Sequence, residues 1–95
     1  MPTTLEKVLQ KVRVNLDRER NPDNSRKFAK TISINIFTDE ATGRRFGVVI
    51  GETVEDEFGD SDEITIALTE GEVTDTIADE RVAAALVAFD LKTSG

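Results

Sequence analysis

The sequence predicts an α+β fold: an N-terminal helix, an antiparallel three- or four-stranded meander and a C-terminal helix, with both helices packed on one face of the sheet. Three observations carry this expectation. Leu5, Val8, Leu9, Val12 and Leu16 recur at helical spacing, Ile32, Ile34 and Ile36 and then Ile64, Ile66 and Leu68 fall at every second position, and residues 79–91 are apolar at nearly every helical phase. The first pattern is the stripe of a 3.6-residue helix and the second the two-residue period of a half-buried strand. The third belongs to a helix covered on more than one side. Consecutive strands joined by short connections most simply form a meander.

The first helix is expected over residues 4–19. Thr3 or Thr4 can cap it, and Glu6 sits favourably near its positive end. Its far side carries Lys7, Lys11 and Arg18, with Val14 off the apolar stripe. Residues 20–27 are polar and include Pro22, which a helix interior does not accommodate, so they form a loop. Strands follow over Ile32–Phe37 and Phe46–Gly51, joined by a turn at Asp39–Gly43 in which Gly43 supplies a left-handed conformation.

In the second strand Phe46, Val48 and Ile50 alternate with Gly47, Val49 and Gly51. The expectation is that the glycines leave a flat outer surface beside Val49. Phe37 and Ala67 would extend it into a shallow apolar patch suited to another sheet or helix. Residues Glu52 to Glu63 hold seven carboxylates around Val54, Phe58 and Gly59 and form an exposed loop or the frayed end of the hairpin. A third strand runs over Ile64–Thr69, and Glu70-Gly71 makes a tight turn. Glu72–Ile77 are compatible with a fourth strand or with the lead into a helix. The last helix begins near Asp79, a good cap, and faces the core with Val82, Ala85, Leu86 and Phe89. Ala83, Ala84, Val87, Ala88 and Leu91 lie on its other side, where a domain this small has little left to cover them.

At 95 residues the chain suits a single compact domain, with flexible tails expected at 1–3 and 93–95. It contains neither cysteine nor histidine. That removes disulfides, thiolate nucleophiles, the usual neutral-pH proton carrier and the donors of zinc sites. No apolar run resembles a signal peptide or a membrane span, so the expected place is the cytoplasm, or a virion if the protein is viral.

The net charge of −7 is unevenly spread. Residues 1–45 have ten Lys or Arg against six Asp or Glu, whereas residues 46–95 have two against thirteen. No positive residue lies between Arg45 and Arg81. The second half therefore carries a sustained negative potential that repels nucleic acid.

Constellations for chemistry are weak. Glycines 43, 47 and 51 sit in a strand rather than between a strand and a helix, against a phosphate loop. Asp60, Ser61, Asp62 and Glu63 lack the twelve-residue pattern of a helix-loop-helix calcium site. Paired carboxylates for glycoside hydrolysis need a deep cleft and an apolar wall, which nothing here supplies. Lys7, Lys11, Arg18, Arg26, Lys27, Lys30, Arg44 and Arg45 are the cations a nucleic acid would meet, with Phe28 the one aromatic among them and no Tyr or Trp for stacking. No catalytic, cofactor or metal residue is assigned, and direct nucleic-acid binding is not expected.

The function expected is therefore that of a non-enzymatic interaction or assembly protein, homo-oligomeric or part of a larger particle such as a viral capsid or tail. Its partner would be a protein or a second copy, held through Val87 and Leu91. Segregated charge would steer copies together. The alternative is a small acidic inhibitor whose Glu55, Asp56, Glu57, Asp60, Asp62 and Glu63 stand in for nucleic-acid phosphates on a basic partner surface.

Overall fold

The computed structural model describes residues 4–28, 31–71 and 75–93. The elements follow the expected order: α1 (Thr4–Asp17), β1 (Thr31–Thr38), β2 (Arg45–Glu52), β3 (Glu63–Thr69) and α2 (Asp75–Thr93). The strands form one antiparallel sheet in the order β1-β2-β3, so the fold is α+β with a three-stranded meander. Helix α1 packs on β1 and β2, and α2 packs on β3 and against α1.

One apolar cluster joins these elements. It comprises Leu5, Val8, Leu9, Val12 and Leu16 of α1, Val49 of β2, Ile64, Ile66 and Leu68 of β3, Ala78, Val82 and Phe89 of α2, and Phe28 from the connection before β1. Ile32 and Ile34 pack against it, while Ile36, toward the open end of edge strand β1, stays 40 % exposed.

The register decides which side of β2 meets the helices. Ile34 pairs with Val49 and Val49 with Ile66, whereas Phe37 pairs with Phe46 and Val48 with Ala67. Directly opposed residues share a face. The inner face is thus Ile32, Ile34, Ile36, Gly47, Val49, Gly51, Ile64, Ile66 and Leu68. The glycines expected on a flat outer surface lie inside. A Cβ on Gly47 would stand 2.2 Å from Leu9 Cδ1, and one on Gly51 would stand 3.3 Å from both Phe28 Cγ and Ile64 Cγ2. Missing side chains are what let α1 and Phe28 settle onto the sheet.

Three other expectations change in detail. Helix α2 starts at Asp75, four positions before the expected cap, so Asp79 lies within its first turns, where its Oδ1 accepts a bond from Asn15 Nδ2 at 3.5 Å. Residues 75–77 are accordingly helical, and Glu72–Thr74 lie outside the described residues. Thr93, expected in a tail, ends α2, its Oγ1 donating to the Phe89 carbonyl at 3.0 Å. Phe28 is buried edge-to-face on Phe89, with ring centres 5.3 Å apart, rather than displayed among cations. Thr3, Lys30 and the segments 1–3 and 94–95 also lie outside the described residues.

Candidate interaction surfaces

Alternation on three strands places Phe37, Phe46, Val48, Ile50 and Ala67 together on the outer face, ringed by Ser33, Asn35, Thr65 and Thr69. Both helices lie on the opposite side, and no described element covers this one. The Phe37 and Phe46 rings stack across the β1–β2 ladder, with centres 5.3 Å apart and planes 26° from parallel. Phe37 is nonetheless 49 % exposed, while Phe46, Val48 and Ile50 are half-buried by their neighbours alone. Carbon surface shown to water in one contiguous stripe makes this face a candidate contact surface.

Sequence reasoning found Phe37 and Ala67 for this face but gave it the wrong residues of β2. The available signal was side-chain size: a strand with glycine at alternate positions presents that side to whatever must come closest, here a helix.

The outer side of α2 is a second apolar surface, as the sequence indicated. Val87 is 61 % and Leu91 71 % exposed, and Ala83, Ala84 and Ala88 of the same helix are exposed as well. The sheet face and this stripe lie on different sides of the fold.

The carboxylate-rich segment is an ordered arm. The hairpin ladder continues past β2 and β3 through Thr53 N–H to the Asp62 carbonyl at 3.0 Å, and Asp62 N–H returns to Thr53 Oγ1 at 2.9 Å. The tip closes on Asp56. Its Oδ1 accepts the N–H groups of Phe58 at 2.9 Å and Asp60 at 3.0 Å, and its own N–H donates to the Asp60 carbonyl at 2.8 Å. Gly59 takes a φ of +82°, which favours glycine. Asp at the first and Gly at the fourth position of 56–59 is the pattern of a type I turn, so Asp56 is explained by local folding. Glu55, Glu57, Asp60, Asp62 and Glu63 are all exposed, and Phe58 at the tip is 80 % exposed.

Three of the described cations are held in ion pairs. Arg45, on the inner side of β2, is held by Glu70 through Nε at 2.8 Å and Nη2 at 2.7 Å, and by Glu6 through Nη1 at 3.1 Å. These bonds, Glu70 first, raise its already high pKa. Lys27 pairs with Asp90 at 2.6 Å and lies 5.5 Å over the Phe89 ring. Arg26 stands 3.9 Å from Asp17. These cations fasten the connection and β2 to the helices.

A groove of about 460 Å³ between α1 and the start of β1 has Arg13, Asp17 and Arg26 as its ionisable lining, around Val14, Phe28 and Ile32. Among the described residues no three acidic side chains are grouped to hold a metal ion, and no helix is long and apolar enough to cross a membrane. No protein-family model, curated protein or solved structure matches the chain.

Proposed function

We propose that this is a non-enzymatic assembly protein that self-associates, alone or within a larger particle, and that its principal contact surface is the outer face of the sheet. The observation that carries the reading is the uncovered row Phe37, Phe46, Val48, Ile50 and Ala67, set on a fold whose opposite face is closed by two helices. Burying such a row against a partner removes carbon surface from water at about 25 cal/mol per Å² before the costs of association. Val87 and Leu91 on α2 offer a second contact, suited to a helix. The acids of the arm are exposed and carry no proposal of catalysis.

Absolute mass from light scattering on a sizing column, read by refractive index because the chain lacks Trp and Tyr, tests this. The wild-type chain is expected to exceed the monomer mass, Val48→Glu to return it to monomer with its circular dichroism intact, and Val87→Glu to remove the helix contact if one forms. A wild-type chain that stays monomeric at every concentration would sink the reading.

The ordered arm favours one second reading, an acidic mimic of nucleic acid that blocks a basic protein surface, because closely spaced acids must be rigidly displayed to compete with phosphates. Its test must spare Asp56, which holds the tip together. Glu57→Lys with Asp60→Lys should abolish such binding while leaving self-association intact.

A further inference from the structure

We propose that the occupant of the outer sheet face is a second copy of this chain, laid face to face about a two-fold axis that crosses β2 at Val48. The inference rests on the assembly reading and names its partner and register. Along the outer side of β2 the residues run Arg44, Phe46, Val48, Ile50, Glu52. Arg44 stands one step before the strand but still in the ladder, its carbonyl accepting Asp39 N–H at 2.8 Å, so it continues the alternation. Read backwards against itself, this row is complementary. Arg44 of one copy meets Glu52 of the other, Phe46 meets Ile50, and Val48 meets Val48.

A two-fold axis running across the strands in the interface plane keeps each strand over its own counterpart, reversed. The flanking strands then match as well. Residues 35, 48 and 67 lie in one row across the sheet, so Asn35 meets Asn35 and Ala67 meets Ala67 beside the central valines. Phe37 shares its row with Phe46, and Ser33 shares its row with Ile50, so the bulky end of each copy lies over the small side chain at the other's far end. The two facing Asn35 amides, each with a donor and an acceptor, can hydrogen-bond to each other. Such an isologous contact needs one self-complementary patch, which this face provides.

Charge agrees with size. Glu52 pairs in register with Glu63, making the Thr31 end of the face acidic, and both would repel an identical end placed over them. The antiparallel arrangement brings Arg44 there instead, whereas the parallel one would stack Glu52 on Glu52. Face-to-face sheets rotate by about 30°, which keeps the central rows in contact while the corners diverge.

Three strands at about 4.8 Å spacing and seven residues at about 3.4 Å give a face of roughly 14 by 24 Å. Closing two such faces buries on the order of 1,000 Å² in total, at the lower edge of specific interfaces. The dimer should therefore dissociate on dilution.

A charge exchange tests the register. In its homodimer Arg44→Glu sets carboxylate over carboxylate at both ends of the central strand, and Glu52→Arg sets guanidinium over guanidinium. Each should weaken self-association about tenfold in low-salt buffer, equivalent to about 1.4 kcal/mol. An equimolar mixture of the two variants forms a heterodimer in which both 44–52 contacts set a carboxylate of the Arg44→Glu chain over a guanidinium of the Glu52→Arg chain, so the mixture should recover about wild-type affinity although neither variant does so alone. The double variant Arg44→Glu/Glu52→Arg restores opposite charges at both ends of the central strand and should recover it too, measured by sedimentation equilibrium. A dimer that Val48→Glu disrupts, but that neither single charge change affects, would overturn this register while leaving the sheet face as the contact. A wild-type monomer would overturn both. Circular dichroism of each variant confirms that folding is unchanged.

Discussion

Gly47→Ala places one methyl group between β2 and α1 and tests which way the sheet faces. The added Cβ would lie 2.2 Å from Leu9 Cδ1, 2.8 Å from Cδ2 and 3.0 Å from Cγ. Carbon atoms rest about 3.5–4.0 Å apart, so Leu9 would have to retreat by more than about 1 Å. It is fully buried beneath α1 and has no solvent to move into. Overpacking by one methyl costs about 1–3 kcal/mol. Against this, replacing a strand glycine returns about 0.5–1 kcal/mol through the unfolded chain. The clash wins, and the expected loss is about 1–2 kcal/mol, a substantial part of the stability of a small domain. With a urea slope near 1 kcal/mol per M, the midpoint should fall by about 1–2 M in a far-ultraviolet circular dichroism titration. In a Leu9→Ala background the same methyl enters a cavity, so its cost should vanish, and a double-mutant cycle reads this as a coupling of about 1–2 kcal/mol. Gly47→Ala that is neutral or stabilising in the wild-type chain would refute the reasoning. It would mean that Gly47 faces outward and that Phe46, Val48 and Ile50 face the helices.

Other outcomes follow from the same packing. Phe28→Ala should cost about 3–5 kcal/mol by urea titration, since the ring is buried against Phe89 and over Gly51. Asp56→Ala should release the tip of the arm, seen as faster amide exchange at Phe58 and Asp60, with little change at Val49 in the core. The Asp23 carboxyl, which accepts bonds first from the Ser25 hydroxyl and then from the Ser25 N–H, is held below the ordinary carboxylate range. A depressed folded-state pKa contributes stability above the unfolded value and loses it as pH falls through the lowered one. The Asp23 carboxyl resonance should therefore titrate below the ordinary carboxylate range, and Ser25→Ala should move it upward.

The helices and strands were legible because each repeats one physical period over several turns or pairs: Leu5 to Leu16 for α1, Ile64 to Leu68 for β3. The facing of β2 was not, because residues 46–51 are apolar at both parities and period alone does not choose between two apolar sides. Tertiary packing chose, by bringing Leu9 and Phe28 to the side without side chains. Phe28 itself was illegible for a different reason. One buried aromatic in a polar connection has no periodicity to announce it, and only the approach of α2 gives it a neighbour. The start of α2 was misjudged because Asp79 makes a plausible cap; the helix begins at Asp75 instead, carrying Ala78 into the core. Of the candidate surfaces, Val87 and Leu91 were visible as a surplus of apolar phases, and the acids by composition. The outer sheet patch depended on the parity of β2.

Salt separates the two contacts, because they draw on different parts of the same charge distribution. Two copies meeting through the sheet bring net −7 toward −7, and only the Arg44–Glu52 contacts at the ends of β2 attract. At an ionic strength of about 0.1 M charges interact over about 10 Å, and at about 1 M over about 3 Å, so added salt removes the long-range repulsion between whole chains. The apolar row at the centre is unaffected by this screening and is strengthened by excluded salts such as sulfate. Self-association through the sheet should hold or tighten as salt rises. A basic partner on the acidic arm behaves in the opposite way, since almost all of its attraction is between net charges of opposite sign. A complex that weakens steadily between about 0.05 and 0.5 M salt therefore belongs to Glu57, Asp60 and their neighbours, while one that tightens belongs to Val48 and the sheet.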